Sequence, residues 1–341
     1  MKLSIYSFLF IFFTTILSAQ TIEVIPSKKP EVSFRGLSVI DNFTFWVSGS
    51  HGTIGFSVNG GKSMKWVNPI GYEDRDFRDI VALNHKTIVA VAIGSPGIIL
   101  KSSDYGNTWV EVYHDDDPNV FLDAIDFYAN NPNIGIAVGD PINGEPYVLK
   151  TIDAGNTWER LSIVDLPRFA INEAFFAASG SNVQLLDESY FLAVSGGSAS
   201  NIMLNTVPPL KTVLPKSGSI TAGANAVDYS TIHQYGLVVG GDYKTPESSE
   251  NNLFRFTLTE DKKILLEDTP TTPPSGYLSG VKILNNGDAI SCGLTGVNIS
   301  NDKGLTWQLI SAQAFHTVKS AKYGSKIYLV GPQGRIASVK E

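Results

Sequence analysis

Apolar positions in this chain fall in short runs separated by turn residues, and the runs come in ordered sets. Each set opens with a short, largely apolar run, as at Leu37–Ile40, Ile80–Leu83 and Ala124–Tyr128. A more continuous run follows, at Thr44–Val47, Thr87–Ala92 and Ile134–Val138. Period-two alternation and β-branched residues predict strands, and no segment shows a helical period. The second run ends in a Gly-rich turn: Gly49-Ser50-His51-Gly52, Gly94-Ser95-Pro96-Gly97, Gly293-Leu294-Thr295-Gly296 and Gly331-Pro332-Gln333-Gly334. Looser versions stand at Gly139-Asp140-Pro141, Ser195-Gly196-Gly197-Ser198 and Gly240-Gly241-Asp242.

The sets repeat with a fixed step. Gly49 to Gly94 and Gly94 to Gly139 are each 45 residues, the length of a four-stranded propeller blade. A second phrase, S/T-x-D-x-G-x-T-W, closes three sets, at Ser102–Trp109, Thr151–Trp158 and Ser300–Trp307. A worn copy runs from Ser57 through Asn59 and Gly61 to Ser63, with its aromatic residue late, at Trp66. In this phrase Asp104, Asp153 and Asp302 are placed to accept backbone N–H groups two or three residues on. The following Gly supplies positive φ, and Trp109, Trp158 and Trp307 offer large apolar surfaces between sheets. The last set stops at Gly334–Val339, one strand short, while Thr21–Ile25 is a spare strand at the other end. The expected fold is all-β, a seven-bladed β-propeller spanning residues 20–341 as one domain, its ring closed by the N-terminal strand.

Composition adds the compartment. Met1-Lys2-Leu3-Ser4 followed by an apolar run from Ile5 to Leu17 and a small residue at Ala19 reads as a signal peptide over residues 1–19, too short to span a bilayer. The expectation is an exported protein, periplasmic or secreted, with no membrane span. The only cysteine is Cys292, in an apolar run, so no intramolecular disulfide is available. Without Lys2 the chain holds 25 basic against 33 acidic residues, which argues against a nucleic-acid partner. No cofactor motif or metal-ligand set is evident; His114-Asp115-Asp116-Asp117 reads as a charged surface loop.

Strands in a blade run alternately up and down. The start of each inner strand therefore shares a face with the Gly-rich turns, and the Asp phrase lies on the other face. Aligning the sets puts Arg35, Arg78, Leu122, Asn172, Ala224, Ser279 and His316 in one ring, and Gly36, Asp79, Asp123, Glu173, Asn225, Gly280 and Thr317 in the next. His51, Asp140 and Asp242 join from the turns. Candidate ligand-binding residues are Arg35, Arg78, His51, Asn225 and His316. The carboxylates Asp79, Asp123, Glu173, Asp140 and Asp242 are the set available for acid–base work.

The Asp phrase resembles the Asp-box, or BNR repeat, of sialidases and sortilin-type receptors, where it lies on the rim away from the ligand. Longer phrases are more specific: Phe77–Ile80, Ile136–Pro141, Asn172–Gly180, Val239–Tyr243 and Phe315-His316. Through them nearly the whole chain from residue 20 resembles the photosystem II stability/assembly-factor propellers, and more closely their exported bacterial relatives, often labelled oxidoreductases. The resemblance implies a seven-bladed ring and, in photosynthetic members, capture of an unfolded polypeptide by an arginine-rich face. Arg35 and Arg78 match that pattern; the other blades carry no arginine there.

The expected function is a non-catalytic binding or assembly module that uses one polar face around the central channel, with a protein or peptide ligand and a monomeric state. Two enzyme readings stand beside it: a glycoside hydrolase using paired carboxylates across the channel, and the oxidoreductase of the family label. An F-R-I-P phrase is only echoed at Phe34-Arg35-Gly36-Leu37, and no G-x-G-x-x-G follows a strand.

Overall fold

A computed structural model describes residues 20–161, 166–216, 218–267 and 270–340. Residues 1–19, where a signal peptide is expected from the sequence, lie outside the described residues. Every element among them is a strand. In chain order, β1 (Thr21–Ile25) comes first and joins the last sheet. β2–β5 (Phe34–Val39, Phe45–Gly49, Ile54–Ser57, Lys65–Trp66) form one antiparallel sheet. β6–β9 (Phe77–Ala82, Ile88–Ala92, Gly97–Ser102, Val110–Asp115) and β10–β13 (Leu122–Phe127, Gly135–Ile142, Glu145–Thr151, Glu159–Arg160) form the next two.

A nine-stranded sheet follows, built from β14–β18 (Glu173–Ala174, Val183–Leu185, Phe191–Gly197, Asn201–Leu204, Leu210–Val213) and β19–β22 (Ala222–Ser230, Tyr235–Asp242, Leu253–Leu258, Ile264–Leu266). In strand pairing its two halves are joined at one position, Gly196 with Gly223. β23–β26 (Leu278–Ile283, Ala289–Gly293, Gly296–Ser300, Gln308–Ser311) form another four-stranded sheet. In the last, β27–β29 (Thr317–Ser320, Ile327–Val330, Ile336–Lys340) take β1 as fourth strand, Thr21 opposite Lys340 and Ile25 opposite Ile336. The innermost strands β2, β6, β10, β15, β19, β23 and β27 touch one another in that order, and β27 returns to β2.

Burial explains the sequence pattern. Second strands such as β7 are buried at every residue, because a sheet packs on each of their faces, so they read as apolar runs. Outermost strands such as β9 are mostly open to solvent. Between consecutive sheets lie separate apolar clusters, for example Val89, Val91 and Ile99 against Phe127, Leu149 and Trp158.

Side chains of the inner strands also latch each sheet to the next. The Asp79 carboxylate accepts the Ile125 N–H at 2.9 Å, Asp126 that of Leu185 at 2.7 Å, Gln184 that of Tyr229 at 2.7 Å and Asp228 that of Ile283 at 2.6 Å.

The Asp phrase folds as a self-satisfied turn. Thr108 N–H and Oγ1–H both donate to Asp104, at 2.9 and 2.7 Å, and Gly106 N–H donates to Ser102 Oγ. Asp153 and Asp302 repeat this arrangement with Thr157 and Thr306. The reach is three to four residues, longer than the two or three expected, because two residues rather than one take positive φ: Tyr105 with Gly106, Ala154 with Gly155, Lys303 with Gly304. The worn copy keeps the turn, Asn59 accepting from Ser63 N–H and Ser57 from Gly61 N–H. Trp158 and Trp307 are buried, and Trp109 reaches the preceding sheet by an Nε1–H bond to the Val67 carbonyl.

Candidate functional site

A β-bulge recurs at one level of five inner strands. The register skips between Phe34 and Gly36, Phe77 and Asp79, Leu122 and Ala124, Ala224 and Ala226, and Leu278 and Gly280. The extra residues are Arg35, Arg78, Asp123, Asn225 and Ser279. A bulge re-aims its side chain out of the alternating pattern, and bulges cluster at barrel rims and sites. This corrects the alignment read from sequence: Asp123 and Asn225 share a level with Arg35 and Arg78, not the level below. Asp79 then stands level with Gly36, Ala124, Ala226 and Gly280, positions that carry almost no side chain.

The channel between the inner strands is filled by the chain itself. After β14 the backbone leaves the sheet, and the inner strand resumes only at β15. The intervening residues 177–182 are all buried. The carbonyl of Ala177 accepts from Arg78 at 3.1 Å, that of Ala178 from Arg35 at 2.7 Å and that of Ser179 from Thr317 Oγ1 at 3.3 Å. Farther along, the carbonyls of Ser181 and Asn182 accept the N–H groups of Val227 and Val194. Gly180, at φ 62°, lies directly on the Asp79 carboxyl: a Cβ there would stand 2.2 Å from Asp79 Cγ. The small-residue run Ala177-Ala178-Ser179-Gly180-Ser181 is what lets this plug fit, and it is the sequence signal that reading by strands overlooks.

Above the plug is a cleft of about 510 Å³. Arg35, Arg78, Asp140 and His316 supply its polar wall; Phe121, Phe175, Phe176, Tyr243, Tyr277 and Leu294 supply the apolar one. Arg78 is committed, its Nε–H bonded to Asp76 at 2.9 Å. Arg35 makes only the bond to Ala178 and has no carboxylate within ion-pair distance among the described residues. Burial, then the neighbouring Arg78, lowers its pKa to about 10, so it remains cationic at neutral pH. Burial, then the two arginines, lowers His316 to about 3, so its imidazole is neutral. Asp140 accepts the Phe175 N–H at 3.0 Å, and burial raises it to about 7. Behind it Asp123 is fully buried; burial and then Asp140 raise it well above the carboxylate range.

The remaining sequence candidates lie elsewhere. Asp79 is under the plug, bonded to Ile80 and Ile125 N–H groups, and burial raises it to about 8. Glu173 is buried and takes bonds from Ser195, Asn201, Ala170 N–H and Lys211. Asp242 caps its own turn through Thr221 and Lys244 N–H. Asn225 is buried, donating to the Leu278 carbonyl, and His51 is exposed in its turn at φ 57°. Of the five candidate carboxylates, Asp140 alone lines the cleft. In the link before β6, Arg75 is structural, holding four carbonyls of residues 93–96. His114 bonds Glu111 and Asp116, and burial is outweighed by those carboxylates, which raise its pKa.

Sheets arranged radially about a plugged channel define a β-propeller, and comparison with solved structures agrees. YCF48 in a structure described as bound to D1 peptide matches with a TM-score of 0.65 at 13% identity, covering 96% of this chain and 98% of that one. YCF48 from Cyanidioschyzon merolae gives 0.62 at 15% identity, covering 94% and 98%. The WD40 propeller domain of Doa1 gives 0.66 at 12%, covering 95% and 98%. At these identities the likeness is one of fold. The photosystem II assembly factor suggested by the sequence phrases thus has its counterpart among the structural neighbours. No family model matches the sequence, and no curated protein matches it significantly. No helix among the described residues is long and apolar enough to cross a membrane.

Proposed function

We propose that this protein is a non-catalytic binding or assembly module that holds a polypeptide in the cleft above the plug. The observation that carries the reading is the Arg35 guanidinium, unpaired by any carboxylate among the described residues, on the wall of an aromatic-lined cleft. The structural neighbour bound to a D1 peptide supports the ligand class. Only one carboxylate on the cleft wall weakens an acid–base pair as the alternative. The same proposal takes the blades as seven, the nine-stranded sheet being two blades joined at Gly196–Gly223, and takes β1 as the strand that closes the ring. It also takes the protein as an exported monomer with no nucleic-acid partner, on the strength of residues 1–19 and the acidic balance.

Panning a displayed random-peptide library tests the reading. Enriched peptides should bind with Kd in roughly the micromolar range and lose about tenfold in Arg35→Ala, the worth of one charge-assisted bond. No enrichment over an unrelated propeller, or equal binding by a folded Arg35→Ala protein, overturns it.

A further inference from the structure

We propose that the cleft receives the end of a ligand carrying a single carboxylate on an aromatic or branched apolar body. The inference rests on the binding reading above and names the chemistry of its ligand. Three features of the cleft lead to it.

The first is the floor. Residues 177–182 occupy the channel, with their carbonyls held by strands from several sheets, so nothing threads through. A ligand that enters cannot pass through, and an end group is what a blind cleft accommodates most simply. The volume of about 510 Å³ lies in the range of small-ligand sites and suits one bulky group with its head, rather than a folded segment.

The second is charge. Two arginines face the cleft, but Arg78 is already paired with Asp76 and bonded to Ala177. Arg35 keeps the rest of its planar fork unspent, and that fork matches a carboxylate in bidentate geometry. A phosphate or a polyacidic segment would need a second uncommitted cation, and the neutral His316 does not supply one. Asp140, once ionised, opposes further negative charge.

The third is the remaining wall. Phe121, Phe175, Phe176, Tyr277 and Leu294 give the ligand an apolar surface to cover next to the guanidinium. One carboxylate adjoining an apolar group can come from a free acid or from the last residue of a polypeptide, and the test separates them.

Calorimetric titration of the full chain uses N-acetyl-phenylalanine, its carboxamide, inorganic phosphate, and a short peptide ending in Phe with a free or an amidated terminus. The acid should bind, and the carboxamide should bind at least about twentyfold more weakly, the loss of a charged hydrogen-bonded pair. Phosphate should not compete. Arg35→Met should abolish the acid–amide difference, and Arg35→Lys should keep part of it. Equal binding of acid and amide, competition by phosphate, or no heat from the acid at about 10 mM overturns the inference. The wild-type contrast needs no variant to fold.

A free-terminus peptide that binds at least as well as the acid makes the source a polypeptide end. Binding of the acid with exclusion of both peptides keeps the inference and removes the polypeptide from the proposed function. A panned peptide whose binding survives amidation does the reverse, sinking the inference and leaving the proposed function intact.

Discussion

The two faces of this propeller are built by opposite means. On the rim face, each turn of the Asp phrase satisfies itself within eight residues: Asp104, Asp153 and Asp302 bond their own Thr, and Ser102, Thr151 and Ser300 bond their own Gly. On the other face, every part of the cleft depends on a partner far away in sequence. Arg35 holds Ala178, Asp79 lies against Gly180, and Asp140 holds Phe175. The repeated turn carries stability in a modular way, and the chemistry sits where the repeats differ.

The plug is the sharpest point of that contrast, and the variant Gly180→Ala should have the largest effect. Its Cβ would overlap the Asp79 carboxyl, and Gly180 has φ 62°, a conformation strained for other residues. A loss of about 3 kcal/mol or more in denaturant unfolding is expected, from overpacking and backbone strain together. Asp79→Ala in the same chain should restore part of it, since the clash is removed while the φ strain stays. A Gly180→Ala protein as stable as wild type would mean that the plug does not fill the channel.

How much of this was legible follows from the same contrast. The turns of the Asp phrase were read from sequence because donor, acceptor and glycine all lie within one phrase, and even the worn copy at Ser57–Ser63 gave its place away. The pairing of Thr21–Ile25 with Ile336–Lys340 was legible as a spare strand facing a missing one. The level of Asp123 and Asn225 was not, because a bulge adds one residue without changing which residues are apolar. Nor was the turning away of Asp79 and Glu173 from the cleft, since their partners, Ile125 N–H and Lys211, lie 46 and 38 residues distant. Tyr277 and Leu294 came to the wall from another sheet altogether.

A smaller effect should come from the rim. Asp153→Ala leaves the N–H groups of Asn156 and Thr157 without their acceptor and should cost about 1–2 kcal/mol, as for loss of a local cap. Ligand affinity in the cleft should not change, and a variant that loses binding while folded would erase the division between the faces. The turn also has an acid signature. Although burial opposes it, the bonds from Thr157, Thr151 and Asn156 hold Asp153 down at about 2. An unfolded Asp titrates near about 3.9, so the turn's contribution is present above that pH and is lost as pH falls towards about 2. Unfolding midpoints measured down this range should converge for wild type and Asp153→Ala.

The smallest expected effect separates the cleft from the rim by the sign of its pH dependence. Asp140, raised to about 7 by burial, gains its charge as pH rises through neutrality, in the wall of the cleft that also holds Arg35, which has no carboxylate partner among the described residues. The groups facing it are Arg35, Arg78 with its partner Asp76, the neutral His316 and the buried Asp123. At its value of about 7, Asp140 changes charge between pH 6 and 8. A carboxylate ligand should therefore bind more weakly at the upper end, by about five- to tenfold for one added charge at partly screened range. Asp140→Asn should keep the low-pH affinity and flatten the profile. A wild-type profile that is already flat, measured by titration with N-acetyl-phenylalanine, would place Asp140 outside the electrostatic reach of the ligand and leave Arg35 to act alone.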